Sequence, residues 1–265
     1  MSTRHRARFG AATPEEGALT YGSYLRVGEL TSLQTLLSDP PAHDELLFIT
    51  VHQAYELWFK ELIFELQSAR DAILAGRLTR AQHYLRRAEA VDRLLVAQVD
   101  VIETMHFQDF LEFRDLLKPA SGFQSMQFRE MEAISGLKDP KHLDMAETDE
   151  ERARFQRRLD EPTLWDAFVE LVERSGHPMP ADDADVRRAS LVALASAPDR
   201  DPYLISEALL NHDALISMWR SRHVLMVERQ IGAKPGTGGS SGAGYLRTTL
   251  DKRFYPDLWG MRSAF

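Results

Sequence analysis

The sequence contains no cysteine. Disulfide bonds, thiolate metal sites and cysteine nucleophiles are therefore excluded. No apolar run approaches the roughly 20 residues that a membrane-spanning helix needs, and the N-terminus lacks the apolar core of a signal peptide. We therefore expect a protein of the cytoplasm that has no membrane partner.

Basic residues are also in short supply, with 32 Lys and Arg against 40 Asp and Glu and a formal net charge of −8. Beyond the stretch from Arg4 to Arg8 there is no basic block. A nucleic-acid partner is therefore disfavoured. The chain length of 265 residues is sufficient for a sizeable hydrophobic core.

Segments with the alternating period of β-strands are missing, and apolar residues recur instead every three or four positions, as in helices. Asp44 and Thr79 are predicted N-caps, and Gly76 and Gly232 are predicted helix ends. The sequence therefore predicts an all-α fold, a helical bundle with two long helices, the first and the last in the following series. The predicted helical segments are 44–77, 79–104, 107–117, a segment that follows a turn at Ser121–Gly122 and ends near Gly136, 162–175 and 201–231.

Residues 1–20 mix Arg, Gly, Pro and Glu without periodicity, which predicts a flexible N-terminal arm. Residues 21–265 are predicted to form a single all-helical domain. Tyr21, Tyr24 and Leu25 form a short amphipathic piece at its beginning. Such a piece could dock on the chain's own core or on a neighbouring subunit.

Each of the two long helices carries one imidazole on an otherwise apolar face, His52 on the first and His223 on the last. Helical bundles place cofactors between facing helices, and a neutral imidazole between apolar walls is the usual ligand of haem iron. Glu56, four residues after His52, is a weak indication of a non-haem metal instead. The spacing alone leaves a haem site and a pair of hydrogen-bonded core histidines as alternatives.

Six of the fifteen glycines lie between residues 232 and 245. A loop so rich in glycine permits close backbone approach to a ligand, or simply flexibility. It is not a phosphate-binding loop, because it follows a helix and lacks Lys-Ser/Thr after the glycines.

Five separated motifs resemble the tryptophan 2,3-dioxygenase family, and they occur in the family's order from about residue 20 to residue 262. The motifs are YGSYL (21–25), HDELLFITVHQAYELWFKELIFEL (43–66), FRDLLKPASGFQSMQFRE (113–130), WRSRH (219–223) and GTGGSSGAGYLR (236–247). The resemblance implies a homotetramer of all-α subunits with haem b, ferrous in the active state. It also implies cleavage of the indole C2–C3 bond of L-tryptophan by O2, which gives N-formylkynurenine and begins kynurenine catabolism.

The resemblance also assigns roles to residues that match the family's motifs. His223 matches the axial ligand of the haem iron, and His52 matches the distal histidine that accepts a hydrogen bond from the indole N–H. Arg114 matches the arginine that binds the substrate carboxylate, a task that suits its planar fork of donors. Thr237 matches the threonine that binds the ammonium and carboxylate ends of the amino acid. The glycine-rich loop then becomes a lid over bound substrate.

Further matches concern the walls of the site. Phe48 and Phe110 match side chains around the indole ring, and Ser121 with Gly122 matches the segment along the haem edge. The remaining matches are residues that a neighbouring subunit contributes to the pocket. They are Tyr21, Tyr24 and Leu25.

Three departures from the family pattern leave an alternative function open. Phe110 stands where some bacterial relatives have tyrosine, His106 stands where a small hydroxylated residue is expected, and the region 177–200 is short. A paralogue that oxygenates a substituted tryptophan in a biosynthetic pathway would fit these departures. A haem-binding sensor or carrier is a rival of another class, but it would have no need of an amino-acid clamp at Arg114 and Thr237.

Overall fold

Helices build the fold. The computed structural model describes residues 18–197 and 200–265, and these contain α-helices and short 3₁₀ segments but no β-strand. The prediction of an all-α fold is confirmed. The α-helices are α1 (Tyr21–Leu25), α2 (Val27–Leu30), α3 (His43–Leu74), α4 (Leu78–Ile102), α5 (Phe107–Phe113), α6 (Met126–Ser135), α7 (Asp149–Asp160), α8 (Leu164–Arg174), α9 (Ala184–Ala195), α10 (Asp201–Ile231), α11 (Ala243–Arg247) and α12 (Pro256–Met261). The 3₁₀ segments are Arg114–Leu117, Gly122–Gln124, Pro140–Met145 and Arg262–Ala264.

The described residues fall into two compact units, divided between Leu36 and Leu37. In the first unit, Thr20 caps α1, since its side chain accepts a hydrogen bond from the Ser23 backbone N–H at 3.1 Å. Residues 1–17 of the predicted arm lie outside the described residues. The division into an arm of 20 residues and one domain stays a prediction.

Three helices form the centre of the second unit: α3 packs along α4, and α4 packs along α10. The connection between α3 and α4 is only three residues long, so α4 runs back along α3. Gly76 in this connection has a φ of 69°, a conformation that favours glycine. Large apolar side chains with almost no exposure fill the interior, among them Leu62, Leu66, Ile73, Leu85, Leu95 and Leu209.

A buried polar network joins α10 to α4 and α6. His212 Nδ1 lies 2.7 Å from Asp92 Oδ2, and His212 Nε2 lies 3.0 Å from Ser135 Oγ. All three side chains are almost completely buried. The next residue, Asp213, accepts hydrogen bonds from the backbone N–H groups of Phe254 and Tyr255. This network fixes α10 both to the bundle and to the C-terminal segment.

Two predicted N-caps are wrong. The N-cap of α3 is Ala42, and the N-cap of α4 is Arg77, neither of which makes a side-chain capping bond. Asp44 lies in the first turn of α3, and its carboxylate accepts a hydrogen bond from the backbone N–H of His106 at 3.1 Å. Asp44 therefore holds the start of α5 instead of capping its own helix.

Across residues 18–197 and 200–265, no helix combines the length and the apolar composition that crossing a lipid bilayer requires.

Candidate active site

One cavity in the second unit is lined by residues that the sequence motifs single out. Its walls come from α3, α5, the segment 114–129, α10 and the glycine-rich loop, and its empty space is about 1530 Å³ when the open mouth is counted. The predicted site residues that line it are Phe48, His52, Phe110, Arg114, Ser121, Gly122, His223 and Thr237. Two helices that are far apart in sequence, α3 and α10, thus bring both imidazoles to one cavity.

Tyr21, Tyr24 and Leu25 belong to the first unit, where all three side chains are exposed. Their role toward a neighbouring subunit stays a prediction.

His52 on α3 turns its ring toward the cavity. Its Nδ1 lies 2.7 Å from the Phe48 carbonyl oxygen, one helical turn earlier, and it must donate there because a carbonyl oxygen only accepts. The ring surface is exposed, but it faces the cavity. Desolvation by the surrounding walls is the main cause that lowers the pKa of His52, and the bond to Phe48 opposes it. At neutral pH, His52 is therefore a neutral imidazole whose Nε2 is left as a hydrogen-bond acceptor.

Aromatic rings surround the His52 end of the cavity. The centroid of Phe48 lies 4.1 Å from that of His52 and 5.8 Å from that of Phe110. Phe113 is fully buried and supports Phe48 from outside the cavity, with a centroid distance of 5.6 Å. The rings form an apolar slot beside a single acceptor nitrogen, an arrangement that suits a flat aromatic ligand carrying one N–H group.

His223 on α10 has different surroundings. Its ring stacks on Trp219, one turn earlier, with a centroid distance of 5.1 Å and an interplanar angle of 18°. Burial is the main cause that lowers the pKa of His223 to about 4, and His52 nearby lowers it further. No hydrogen bond contributes to this shift. His223 is therefore a neutral imidazole that retains a free lone pair, as a metal ligand must.

The glycine-rich loop lines one side of the cavity, and Arg114 and Thr237 each form a hydrogen bond between this loop and the segment 114–122. Arg114 donates from Nη2 to the Pro235 carbonyl oxygen, and Thr237 donates from Oγ1 to the Ala120 carbonyl oxygen at 2.6 Å. Two side chains that can bind a carboxylate and an ammonium group thus also fasten the loop to the segment 114–122.

Gly238 packs closely against Ser121 of this segment. A Cβ atom at residue 238 would lie 2.5 Å from Ser121 Cβ and 3.1 Å from Ser121 Oγ. Real Cβ atoms essentially never come so close, so only glycine fits there without a shift of Ser121.

A second, more polar cavity adjoins the first and shares His52, Ser121 and Thr237 with it. Its other walls carry charged side chains. They are Lys60, Glu130, Glu151, Arg154 and Arg158. This cavity provides a polar space beside the His52 end, which suits the charged groups of an amino acid better than the aromatic slot does.

The sequence prediction assigns no role to several side chains that line the first cavity. They are Phe128, Arg129, Glu132, Trp219 and Arg220. Four of them lie within the quoted motifs, so the motifs were a signal for the region but not for the individual residue. Glu132 lies outside every motif, and no sequence signal marks it. His106, which departs from the family pattern, is not among the lining residues, and its side chain is 57% exposed.

The donor set fits a haem better than a metal ion bound by protein groups alone. Throughout the described part of the chain, no group of three or more His, Asp or Glu side chains could hold a metal ion. A single neutral imidazole suffices for an iron whose other ligands come from a porphyrin. The rings of Trp219 and Phe128 lie with their centroids 5.2 Å apart at an interplanar angle of 38°, and they give the His223 end the apolar surface that a porphyrin needs.

Comparison with known proteins agrees with this chemistry. The sequence model of the family described as tryptophan 2,3-dioxygenase matches residues 5–185 and 188–265. A tryptophan 2,3-dioxygenase from Nocardioides sp. is 55% identical over 260 residues, which are 94% of this chain and 96% of the relative. One from Herpetosiphon aurantiacus is 44% identical over 258 residues (93% and 98%), and one from Anaeromyxobacter sp. is 42% identical over 257 residues (93% and 96%). The chain therefore belongs to the tryptophan 2,3-dioxygenase family.

Proposed function

We propose that this protein cleaves the C2–C3 bond of the indole ring of L-tryptophan with O2 to give N-formylkynurenine, and that its cofactor is haem b with ferrous iron. The observation that carries the proposal is that two neutral imidazoles on facing helices share one cavity with an arginine and a threonine suited to an amino acid. The family comparison supports the same activity and gives no support to a paralogue acting on a substituted tryptophan.

His223 would be the protein ligand of the haem iron. Its low pKa keeps the imidazole neutral, so that no proton competes with the metal at neutral pH. When bound, the haem supplies the redox chemistry that activates O2, while the protein binds, orients and excludes water.

His52 would orient the indole ring. Because Nδ1 donates to Phe48, Nε2 accepts, and the indole N–H is a donor that matches it. Phe48 and Phe110 would hold the ring between them, and Ser121 with Gly122 would line the haem edge. No residue has to remove the indole proton, so His52 acts by positioning the substrate.

Arg114 and Thr237 would bind the amino-acid end of the substrate. The guanidinium can bind a carboxylate through two parallel hydrogen bonds, and the threonine hydroxyl can bond both the carboxylate and the ammonium group. Both side chains already make bonds that fasten the glycine-rich loop. Substrate binding and loop closure would therefore use the same two residues.

The assembly would be a homotetramer in which Tyr21, Tyr24 and Leu25 reach a neighbouring active site. Large apolar side chains exposed on α3 and α10, such as Phe64 and Leu225, support subunit contacts. Deleting residues 1–26 should then raise KM for L-tryptophan, and the intact protein should sediment as an oligomer at micromolar concentration. A fully active monomer would rule the shared site out. The cytoplasm is the proposed compartment.

The activity itself is tested by mixing reduced, haem-loaded protein with L-tryptophan and O2. We expect N-formylkynurenine, identified by its absorbance and by a mass that contains both atoms of labelled O2. A product with a single labelled atom and an intact indole C2–C3 bond would contradict the proposal and favour the paralogue.

A further inference from the structure

Besides Glu56, three charged side chains line the cavity and have no part in the proposed function. Arg129 and Glu132 lie on α6, and Arg220 lies on α10. The three residues are only 7%, 2% and 3% exposed. We refer to them as the Arg129 cluster.

Glu132 is shared between the two guanidinium groups. Its Oε2 accepts a hydrogen bond from Arg129 Nη1 at 2.6 Å, and its Oε1 accepts one from Arg220 Nη2 at 2.9 Å. Arg220 has further support, because Nη1 donates to the Lys252 carbonyl oxygen at 2.9 Å and the negative charge of Asp213 acts on it at longer range. Among the residues that the structure describes, Arg129 pairs with one carboxylate, that of Glu132, which it shares with Arg220. The cluster contains two positive charges and one negative charge, and the positive charge that is not neutralised therefore resides on Arg129.

Arg129 also has hydrogen-bond donors to spare. A guanidinium carries five N–H groups, and Arg129 makes one hydrogen bond within residues 18–197 and 200–265, to Glu132. Its Nε is buried without a partner in the same residues. A buried donor and an unpaired buried charge are both costly, so this position calls for an anion.

The position of Arg129 relative to His223 suits one particular anion. The Arg129 guanidinium lies 5.3 Å from the centroid of Phe128, Phe128 lies 5.2 Å from Trp219, and Trp219 lies 5.1 Å from His223. An aromatic surface thus runs from the imidazole to the spare cation. The groups of a haem follow the same order, with iron at the centre, an apolar ring around it and two carboxylates on one edge.

We propose that Arg129 binds a propionate carboxylate of the haem, and that Glu132 and Arg220 hold Arg129 in place for it. This inference rests on the proposed function, because it requires haem. It assigns two of the three cavity arginines to different carboxylates: Arg129 to the cofactor and Arg114 to the substrate. Arg220 is a positioning residue, since its Nη1 donates to the Lys252 carbonyl oxygen and its Nη2 donates to Glu132.

The test compares haem with haem dimethyl ester, whose propionates carry no charge. Full-length protein prepared without haem is titrated with each, and the dissociation constants are read from the Soret band. Wild-type protein should prefer haem to the ester at least tenfold. In Arg129→Met this preference should fall at least tenfold, because affinity for haem drops while affinity for the ester stays nearly unchanged. A charge-assisted hydrogen bond is large enough for an effect of this size.

Two variants serve as controls. Arg70→Met removes an arginine of similar burial (5% exposed), which bonds Asp71 and Glu161 and does not line the cavity. It should keep the wild-type preference, whatever its effect on stability. Arg114→Met removes the cavity arginine that is assigned to the substrate, and it should also keep the wild-type preference. If Arg114→Met abolishes the preference and Arg129→Met does not, the two assignments are reversed and the inference is wrong.

The remaining outcomes separate the inference from the function on which it rests. Equal weakening of haem and ester by Arg129→Met would mean a purely structural role and would overturn the inference. If Arg129→Met fails to fold, Arg129→Lys is measured instead. Lysine keeps the positive charge but lacks the planar pair of donors, so the preference for haem over the ester should lie between that of wild type and a complete loss. An unchanged preference would contradict the inference. If wild-type protein binds neither compound, the proposed function itself fails.

Discussion

The two histidines that look alike in the sequence differ in their contacts. His52 faces the cavity with an exposed ring, and its Nδ1 is engaged by the Phe48 carbonyl oxygen. His223 is half-buried and stacked on Trp219, and desolvation lowers its pKa to about 4. The first is held as an acceptor beside an open slot, and the second is a neutral ligand set into the wall. An imidazole on an apolar helix face therefore does not define a role until its second nitrogen and its solvent access are known.

Replacing His223 should have the largest effect. His223→Ala removes the proposed protein ligand of the iron, so the variant should lose most of its haem and all dioxygenation. Haem content and the Soret spectrum of the purified protein measure this. His106→Ala, which removes a largely exposed imidazole outside the cavity, should keep wild-type haem content. If His223→Ala retains haem and His52→Ser loses it, the roles assigned to the two histidines are exchanged.

Replacing Arg114 should have the next largest effect, because we propose that this residue binds the carboxylate of the substrate at the His52 end of the cavity. Arg114→Ala should lower kcat/KM for L-tryptophan at least tenfold, since a hydrogen bond to a charged group contributes ~1.5–3 kcal/mol. Haem content should not change. Tryptamine, which lacks the carboxylate, should show a much smaller difference between wild type and variant, if it turns over. An unchanged kcat/KM for L-tryptophan would remove Arg114 from the site.

Replacing His52 should have a smaller effect than replacing His223 or Arg114. His52→Ser should keep near-normal haem content and reduced-iron spectra, while kcat/KM falls by about one hydrogen bond, ~1–2 kcal/mol or roughly tenfold. The loss should be smaller for 1-methyl-tryptophan, if it turns over, because that analogue has no N–H to donate. Full activity in this variant would show that His52 has no role in binding the substrate.

The smallest effect should come from the loop above the His52 end. Gly238→Ala puts a Cβ where Ser121 already lies, so the loop should close less well and KM should rise several-fold with haem content intact. Adding Ser121→Gly should restore KM, since the next contact, the Pro119 carbonyl oxygen, is 3.6 Å away. Gly260→Ala, at a site with open space, is the matched control. No rescue in the double variant would contradict the steric explanation.

The sequence predicted the fold through local signals and failed where distant contacts decide. The helix predicted for 201–231 matches α10 residue for residue, because its period, Pro202 and Gly232 are all local. The Asp44 prediction failed because the partner of its carboxylate, the backbone N–H of His106, is 62 residues away. The Arg129 cluster could not be predicted either, since its charge balance depends on which acids and bases the tertiary fold buries together.

The buried network at His212 has a consequence for how the chain can vary in length. His212 and His223 are eleven residues apart on α10, which is three helical turns and roughly 16 Å, so the two imidazoles lie on nearly the same face. The contacts of His212 with Asp92 and Ser135 therefore determine the direction in which His223 projects. One residue inserted or deleted between them would rotate His223 by roughly 100°, out of the cavity. Side chains on the outer face of this segment can be exchanged, but its length cannot.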